Sequence, residues 1–182
     1  MIFVDEPAAN ERTKDREHGW APIGVHPTKH CPHKRSERWS ILPAYTSRGG
    51  YIAFGIVQGA ITKDLFLEFL RNKVMPHCHP YDPENPLPNS VLIMNNASIH
   101  KSAVVRALCD EFSVYLEFLP PYSPDYNPTK ESFAELKAWM KNRDLALTFE
   151  GDFGGFIELA VQGLTQKAGR YFASCFISMV DE

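Results

Sequence analysis

Two predicted strands of this 182-residue chain end on pairs of polar residues whose side chains can bind cations or transfer protons. Asp5 and Glu6 follow the first apolar run, and Asn95 and Asn96 follow the apolar run Val91–Met94. In an open sheet of alternating strands and helices, functional sites gather at the carboxyl ends of the strands. Acidic and amide residues after a strand are also common turn formers, so neither pair alone indicates chemistry.

A third candidate element is the proline-rich segment from Pro120 to Pro128, which leads into a predicted helix. Each proline fixes its own φ and restricts the residue before it, so this segment is stiff. The segment contains Asp125, and it places Lys130 and Glu131 in the first turn of the helix that follows. Proline clusters are most often plain connectors, and this one gains interest only together with the two strand ends.

The elements that must position these residues form an α/β pattern, in which early antiparallel strands precede a strand–helix–strand unit. Residues 10 to 38 are polar and are predicted to form a long loop. The predicted strands are Ile2–Asp5, Trp39–Thr46, Tyr51–Val57, Val91–Met94 and Val114–Leu119. The predicted helices start at Thr62, at Ser98 or His100, at about Thr129 and at about Phe153, and they end near Val74, Phe112, Asn142 and Leu164.

Composition restricts the class of protein. Hydrophobic residues make up 44% and charged residues 23%, which is typical of one soluble globular domain rather than a disordered or membrane protein. The formal net charge of −3 argues against binding to nucleic acid by charge alone, although metal-binding carboxylates would lower the charge of a nucleic-acid enzyme. Four scattered cysteines and the absence of a secretory signal predict an intracellular protein with reduced thiols.

Three segments resemble one family. VLIMNNASIH at 91–100, FLPPYSPDYNP at 118–128 and ESFAELKAW at 131–139 are similar to the catalytic core of Tc/mariner-type DDE transposases. The resemblance covers about residues 1 to 145. It implies an RNase H-like α/β fold, with a mixed five-stranded sheet flanked by helices. It also implies a single catalytic domain over residues 1–182, in which 146–182 form a C-terminal helical extension, without the family's N-terminal helix-turn-helix domain.

The resemblance implies metal-dependent cleavage and transfer of DNA strands as the family reaction. In the family, three carboxylates hold two Mg²⁺ or Mn²⁺ ions roughly 3.5–4 Å apart, and these ions activate the nucleophile and stabilise the leaving oxygen. The expected partner is DNA, with weak binding by this chain, and a homodimer is a candidate assembly. No membrane association is expected, and the family resemblance implies a nuclear location.

The three family positions fall on Asp5, Asn95 and Lys130, and 34 residues separate the last two, as in one branch of the family. Only Asp5 is a carboxylate, so the formal charges of the three side chains cancel. An amide oxygen ligates a metal weakly, and an ammonium group has no lone pair to offer. We therefore expect at most weak residual metal binding at Asp5, an inactive copy, and an ion pair between Lys130 and Asp5.

The residues expected around this site are Asn96, His100, Asp125, Asn127 and Glu131. One alternative function is an active metal-dependent endonuclease in which Asp125 or Glu131 substitutes for a missing carboxylate. Against it, one helical step rotates Glu131 about 100° from Lys130. A third interpretation is a non-catalytic nucleic-acid-binding or interaction module.

A second acidic side chain, that of Glu6, is also close to Asp5 in sequence. Strand alternation predicts that Glu6 points to the opposite face of the first strand from Asp5. Glu6 is therefore not expected to replace a missing carboxylate.

Overall fold

The structure is a computed structural model that describes residues 1–10, 20–26, 28, 38–142, 152–162, 164, 168–175 and 177. Most of the predicted polar loop between residues 10 and 38 lies outside these ranges. Within them, no helix combines the length and apolar character needed to cross a bilayer.

Six strands and five α-helices make up the described fold. The strands are β1 (Ile2–Val4), β2 (Ala8–Asn10), β3 (Arg38–Thr46), β4 (Gly50–Gln58), β5 (Val91–Met94) and β6 (Tyr115–Phe118). The helices are α1 (Lys63–Phe69), α2 (Ala103–Glu111), α3 (Pro128–Asn142), α4 (Phe153–Gln162) and α5 (Ala168–Ser174). A π-helical turn, Leu70–Val74, and a 3₁₀ turn, Met75–His77, extend α1, and a second 3₁₀ turn, Pro124–Tyr126, precedes α3.

The strands form one mixed sheet. β1 lies at its centre, antiparallel to β3 and parallel to β5, while β6 is parallel to β5 and β4 is antiparallel to β3. The predicted order, early antiparallel strands followed by a strand–helix–strand unit, is confirmed by the antiparallel pair of β3 and β4 and the parallel pair of β5 and β6. The sheet has six strands rather than the predicted five, because β2 forms a separate short pairing with β3.

The first strand is interrupted at the candidate site. β1 pairs Phe3 with Tyr45 and β2 pairs Ala8 with Ser40, so both follow the same register along β3. That register would place Asp5 opposite Pro43, which has no N–H to contribute to a ladder. Residues 5 to 7 are therefore not part of a strand, although the Ile41 N–H still donates to the Pro7 carbonyl at 2.9 Å, and the Glu6 N–H donates to Asp5 Oδ1 at 2.9 Å.

Helices cover both faces of the sheet. α1 and α2 pack on one face, where the buried side chains include Ile2, Val4, Leu92, Met94, Phe66, Val105 and Leu108. α3, α4 and α5 pack on the other, with Phe3, Ile41, Ile93, Leu136, Phe156 and Phe172 among the buried side chains. Alternation along β1 and β5 therefore assigns residues of even number to the α1–α2 face and residues of odd number to the α3–α5 face.

Helix boundaries differ from the expected ones at two places. Ser102 caps α2 by accepting a hydrogen bond from the Val105 N–H at 3.3 Å, so the helix begins at Ala103 and residues 98 to 101 form turns. Two helices, α4 and α5, lie in the region predicted as a C-terminal helical extension, where one helix was expected. The boundary of that extension stays a prediction.

Phe66 provides a test of the α1–α2 core, because its side chain is completely buried between α1 and the sheet. Truncation to alanine removes apolar contacts and leaves a cavity, so Phe66→Ala should lower the free energy of unfolding by about 3–5 kcal/mol. Urea denaturation followed by circular dichroism measures the change. Leu65→Ala, on the same helix but 37% exposed, is the control and should cost under about 1 kcal/mol.

Candidate active site

The parallel pairing of β1 with β5 brings Asp5 and Asn95 together. Val4 lies opposite Met94, so the next residue of each strand extends from the same edge of the sheet and towards the same face. Asn95 Nδ2 donates to Asp5 Oδ1 at 2.7 Å. The structure therefore brings the first two family positions into direct contact, with Asp5 only 9% exposed.

The proline segment brings the start of α3 to the same carboxylate. Asn127 Nδ2 donates to Asp5 Oδ2 at 2.9 Å, and Thr129 Oγ1 lies 3.2 Å from that same oxygen. The Thr129 hydroxyl also lies 2.5 Å from Asn127 Oδ1, so its single proton is shared between two acceptors. Both side chains are buried, and together they anchor the first turn of α3 to the centre of the sheet.

Local sequence explains why Asn127 occupies this position. The 3₁₀ turn Pro124–Tyr126 closes with a hydrogen bond from the Asn127 N–H to the Pro124 carbonyl at 3.0 Å. Pro128 then opens α3, where its missing N–H costs nothing. Asn127 Oδ1 accepts from the Thr129 N–H at 3.2 Å, so one amide side chain satisfies the helix N-terminus and the carboxylate together.

The orientation of both amides follows from the chemistry of Asp5. A carboxylate oxygen accepts hydrogen bonds, so the NH₂ groups of Asn95 and Asn127 must face it and their oxygens must turn away. Asn95 Oδ1 accepts from the Ala97 N–H at 2.9 Å, which holds this arrangement. The only anionic group of the three family positions is thus surrounded by hydrogen-bond donors.

Lys130 does not form the predicted ion pair with Asp5. Its side chain is exposed, and the described residues include no ion pair that joins it to Asp5. The prediction was wrong because Thr129 takes the inward direction, and one helical step turns Lys130 about 100° from it. An ammonium group also stays hydrated at less cost at the surface than in a buried site.

The two carboxylates considered as substitutes lie apart from the Asp5 network. Asp125 is exposed in the 3₁₀ turn before α3. The Glu131 carboxylate accepts a hydrogen bond from Ser174 Oγ of α5 at 2.7 Å. Across the described ranges, no three Asp, Glu, His or Cys side chains are grouped in a way that could hold a metal ion.

Glu6 and His100 lie on the opposite face of β1, as strand alternation predicts for Glu6. His100 is fully buried and stacks on Phe66 with ring centroids 4.7 Å apart. Its Nδ1 lies 3.1 Å from the Asn95 carbonyl oxygen, which can only accept, so Nδ1 carries a proton. Its Nε2 lies 2.6 Å from Glu6 Oε2, a close polar contact whose angles fall outside hydrogen-bond geometry. His100 therefore contacts the backbone of Asn95 from the face of the sheet opposite the Asp5 side chain.

Contacts with α5 hold α3 on the side away from Asp5. Tyr171 Oη donates to Glu135 Oε2 at 2.5 Å, and burial raises the pKa of Tyr171 above its ordinary value. Burial also raises the pKa of nearby Tyr51 to about 12, so this phenol stays protonated at neutral pH. These contacts join α3 to α5, whereas the Asp5 network holds the first turn of α3 against the sheet.

The residues present do not fit a two-metal centre. Hard divalent ions require anionic oxygen ligands, and Asp5 is the only carboxylate at the three family positions. Its oxygens accept from Asn95, Asn127 and the Glu6 N–H and lie beside the Thr129 hydroxyl, so a metal would have to displace several donors. No catalytic step through a metal follows from this arrangement.

Sequence reasoning missed the part played by Thr129 and gave Asn127 only as a neighbour. The available signal was an Asn-Pro pair that starts a helix, because an asparagine before a first-turn proline is a strong N-cap. The threonine in the first turn of that helix was a second signal, because its hydroxyl can donate to a nearby polar group. Neither motif indicates that the capping side chain also reaches a residue more than 120 positions earlier.

The described fold and site define an RNase H-like α/β domain with a buried aspartate at the end of its central strand. A model of the DDE superfamily endonuclease family matches residues 1–150. The chain belongs to this family, which confirms the resemblance found in the sequence. Comparison with curated proteins gave no match.

Solved structures of Mos1 transposase share the fold. The strand transfer complex superposes with a TM-score of 0.64 at 15% identity, covering 96% of this chain and 50% of the Mos1 chain. The paired-end complex with the left transposon end gives 0.63 at 15%, and the paired-end complex with Mn gives 0.62 at 13%; each covers 96% of this chain and 51% of the other. The chain spans about half the length of these Mos1 chains. At these identities the likeness establishes the fold alone.

Removal of the Asp5 carboxylate tests whether the site now stabilises the fold. Asp5→Ala leaves the Nδ2 donors of Asn95 and Asn127 without their carboxylate acceptor, so the free energy of unfolding should fall by about 3 kcal/mol. In a cluster of mutually repelling carboxylates, the same change would relieve repulsion and stabilise the protein. Chemical denaturation shows whether the free energy of unfolding falls or rises. Asp125→Ala, at an exposed aspartate, should stay within about 0.5 kcal/mol of the parent.

Proposed function

We propose that this chain is a degenerate DDE-type transposase domain that does not catalyse the family's metal-dependent cleavage and transfer of DNA strands. The observation that carries the proposal is the set of neutral donors on Asp5. Two-metal catalysis requires several carboxylates around two divalent ions, whereas Asn95 and Lys130 contribute an amide and an exposed ammonium group.

Electrostatics supports the loss of metal binding rather than a weakened form of it. Two divalent cations bring a charge of +4, and a triad of carboxylates offsets most of it. Asp5, Asn95 and Lys130 together offer no net negative charge. Mg²⁺ or Mn²⁺, which the resemblance implies for the family, would have to displace the hydrogen bonds on Asp5 without a second anionic ligand in return.

Restoration of the missing carboxylates tests the proposal. The double variant Asn95→Asp/Lys130→Glu should bind Mn²⁺, whereas the parent should not. A ligand at 100 times its Kd stabilises the folded state by about 2.7 kcal/mol, so the variant's melting temperature should rise by roughly 5–10 °C with Mn²⁺. Adding Thr129→Val, which removes one donor from Asp5, should strengthen this response.

A nicking assay on supercoiled DNA provides the decisive controls. Neither the parent nor the Asp5→Ala variant should show Mn²⁺-dependent nicking. Metal-dependent nicking by the parent that Asp5→Ala abolishes would overturn the proposal, and loss of that activity in Asp125→Ala or Glu131→Ala would identify a substitute carboxylate. If the restored double variant shows no Mn²⁺ response, the assignment of Asn95 and Lys130 to metal positions is wrong.

DNA as the partner and the nucleus as the location belong to the same proposal, because both follow from the family. Two of the Mos1 structures named above are a strand transfer complex and a paired-end complex with the left transposon end, which supports DNA as a ligand of this domain. The loss of catalysis does not remove the surface on which DNA would lie. A retained binding role is therefore compatible with an inactive centre.

Self-association completes the proposal. Trp20, Ile23 and Val25 are exposed, with Trp20 at 103% and Ile23 at 107%. They lie at a turn, in which the Val25 N–H donates to the Pro22 carbonyl at 3.0 Å and Gly24 has a φ of +87°. Contiguous exposed apolar side chains of this kind are typical of interaction surfaces.

Replacement of Trp20 tests self-association. Sedimentation equilibrium of the parent should show a dimer that dissociates on dilution, and Trp20→Ser should weaken it at least about tenfold, since aromatic side chains carry much of the energy of an interface. Tyr122→Ser, which removes another fully exposed aromatic ring, is the control and should leave association unchanged. A monomeric parent at all concentrations would contradict the homodimer.

A further inference from the structure

A groove lies beside the candidate site, on the α1–α2 face of the sheet. Its volume is about 330 Å³, near the lower end of the range for small-ligand sites. It begins at Asn96, the residue after Asn95, and lies between β6 and the start of α2. Its lining comprises Asn96, Lys101, Ser102, Arg106, Leu116 and Phe118.

Two cations in this groove have no anionic partner. Lys101 and Arg106 are both exposed, and neither takes part in an ion pair in the part of the chain that the structure describes. Asp110 follows Arg106 by one helical turn, a spacing that often supports an ion pair, yet no such pair forms. Two unneutralised cations along one concavity favour an anionic ligand.

Polar side chains on the same wall of the groove can form a further hydrogen bond to a ligand. Ser102 Oγ accepts from the Val105 N–H as the cap of α2, so its own proton remains available to a ligand in the groove. Asn96 Nδ2 donates to the Leu119 carbonyl, which holds this side chain at the groove's inner end. The wall therefore combines charge with a donor of fixed position.

The floor of the groove is apolar. Leu116 and Phe118 alternate along β6, so their side chains point to the same face of the sheet, and both are only partly buried. An aromatic ring beside cationic side chains suits a ligand with both a planar ring and an anionic group. Nucleotides have this combination, and proteins that bind single strands stack bases on aromatic rings and neutralise phosphates with Lys and Arg.

We propose that this groove binds a nucleotide unit of a nucleic-acid strand, with its phosphodiester between Lys101 and Arg106 and its base or sugar against Phe118. The inference rests on the nucleic-acid partner proposed above, and it assigns that partner a site separate from Asp5. Because Asn96 joins the groove to the strand end that carries Asn95, a bound strand would pass along the carboxyl edge of the sheet.

The test measures binding of a fluorescein-labelled single-stranded oligonucleotide of about 12 nucleotides to the full chain by anisotropy, at several salt concentrations. Lys101→Ala/Arg106→Ala should weaken binding at low salt at least about tenfold. It should also reduce the slope of log K against log salt by about 0.7, the contribution of one neutralised phosphate on a single strand.

The matched control is Arg48→Ala/Lys63→Ala, which removes one exposed arginine and one exposed lysine outside the groove. It changes net charge equally and should alter affinity less than about twofold. Phe118→Leu, which keeps the floor apolar, should weaken binding several-fold with an unchanged salt slope, because it removes stacking and no charge. If the groove variant and the control lose affinity for the oligonucleotide equally, the proposed site is wrong.

A second measurement distinguishes a nucleic-acid strand from a small anion as the ligand of the groove. Titration of isotopically labelled protein with inorganic phosphate reports on the amides of Lys101, Ser102 and Arg106. If phosphate shifts them but the parent binds no oligonucleotide, the nucleic-acid ligand is wrong and the groove takes a small anion. The nicking and Mn²⁺ assays do not depend on this groove. If the groove binds no oligonucleotide, the proposal of an inactive centre is unaffected and those assays test it separately.

Discussion

The position of α3 depends on the carboxylate of Asp5. This group ends the central strand, and through Asn127 and Thr129 it holds the first turn of a 15-residue helix against the sheet. A buried carboxylate is expensive unless donors surround it, and here a backbone N–H, two amides and a hydroxyl meet that requirement. The polar centre of the fold is satisfied by the chain's own groups. A divalent ion would have to compete with them.

Sheet register and helix geometry together determine which side chains meet at this centre. Parallel pairing places Asp5 and Asn95 side by side, and alternation directs Glu6 to the opposite face, where it contacts His100. On α3, Thr129 faces inward towards Asp5, and Lys130 follows it by one helical step and is exposed. The exposed position of Lys130 therefore follows from backbone geometry and does not depend on its charge.

Much of the fold could be predicted from the sequence, because apolar periodicity and proline placement are local signals. They predicted β1, β3, β4, β5, β6, α1, α3 and α4 close to their observed limits, and they predicted α2 with a start at Ser98 or His100 that is too early. β2 was missed because three residues with no clear alternation carry no strand signal, and α5 because its seven residues span barely two turns. The contact of Asp5 with Asn95 was implied by the family. Its contacts with Asn127 and Thr129 depend on side-chain rotamers across a long loop, which no local pattern encodes.

Charge along the carboxyl edge of the sheet is distributed unlike that of a metal-dependent nuclease. In such an enzyme, negative charge concentrates at the strand ends and is balanced by cations from solution. Here the carboxylate of Asp5 lies within a network of neutral donors, while Lys101 and Arg106, which form no ion pair in the described part of the chain, line the neighbouring groove. In the proposal made above, such an edge would attract the phosphates of a nucleic-acid strand without holding the ions that cleave it. Binding and cleavage would then depend on separate groups, and loss of cleavage would not require loss of binding.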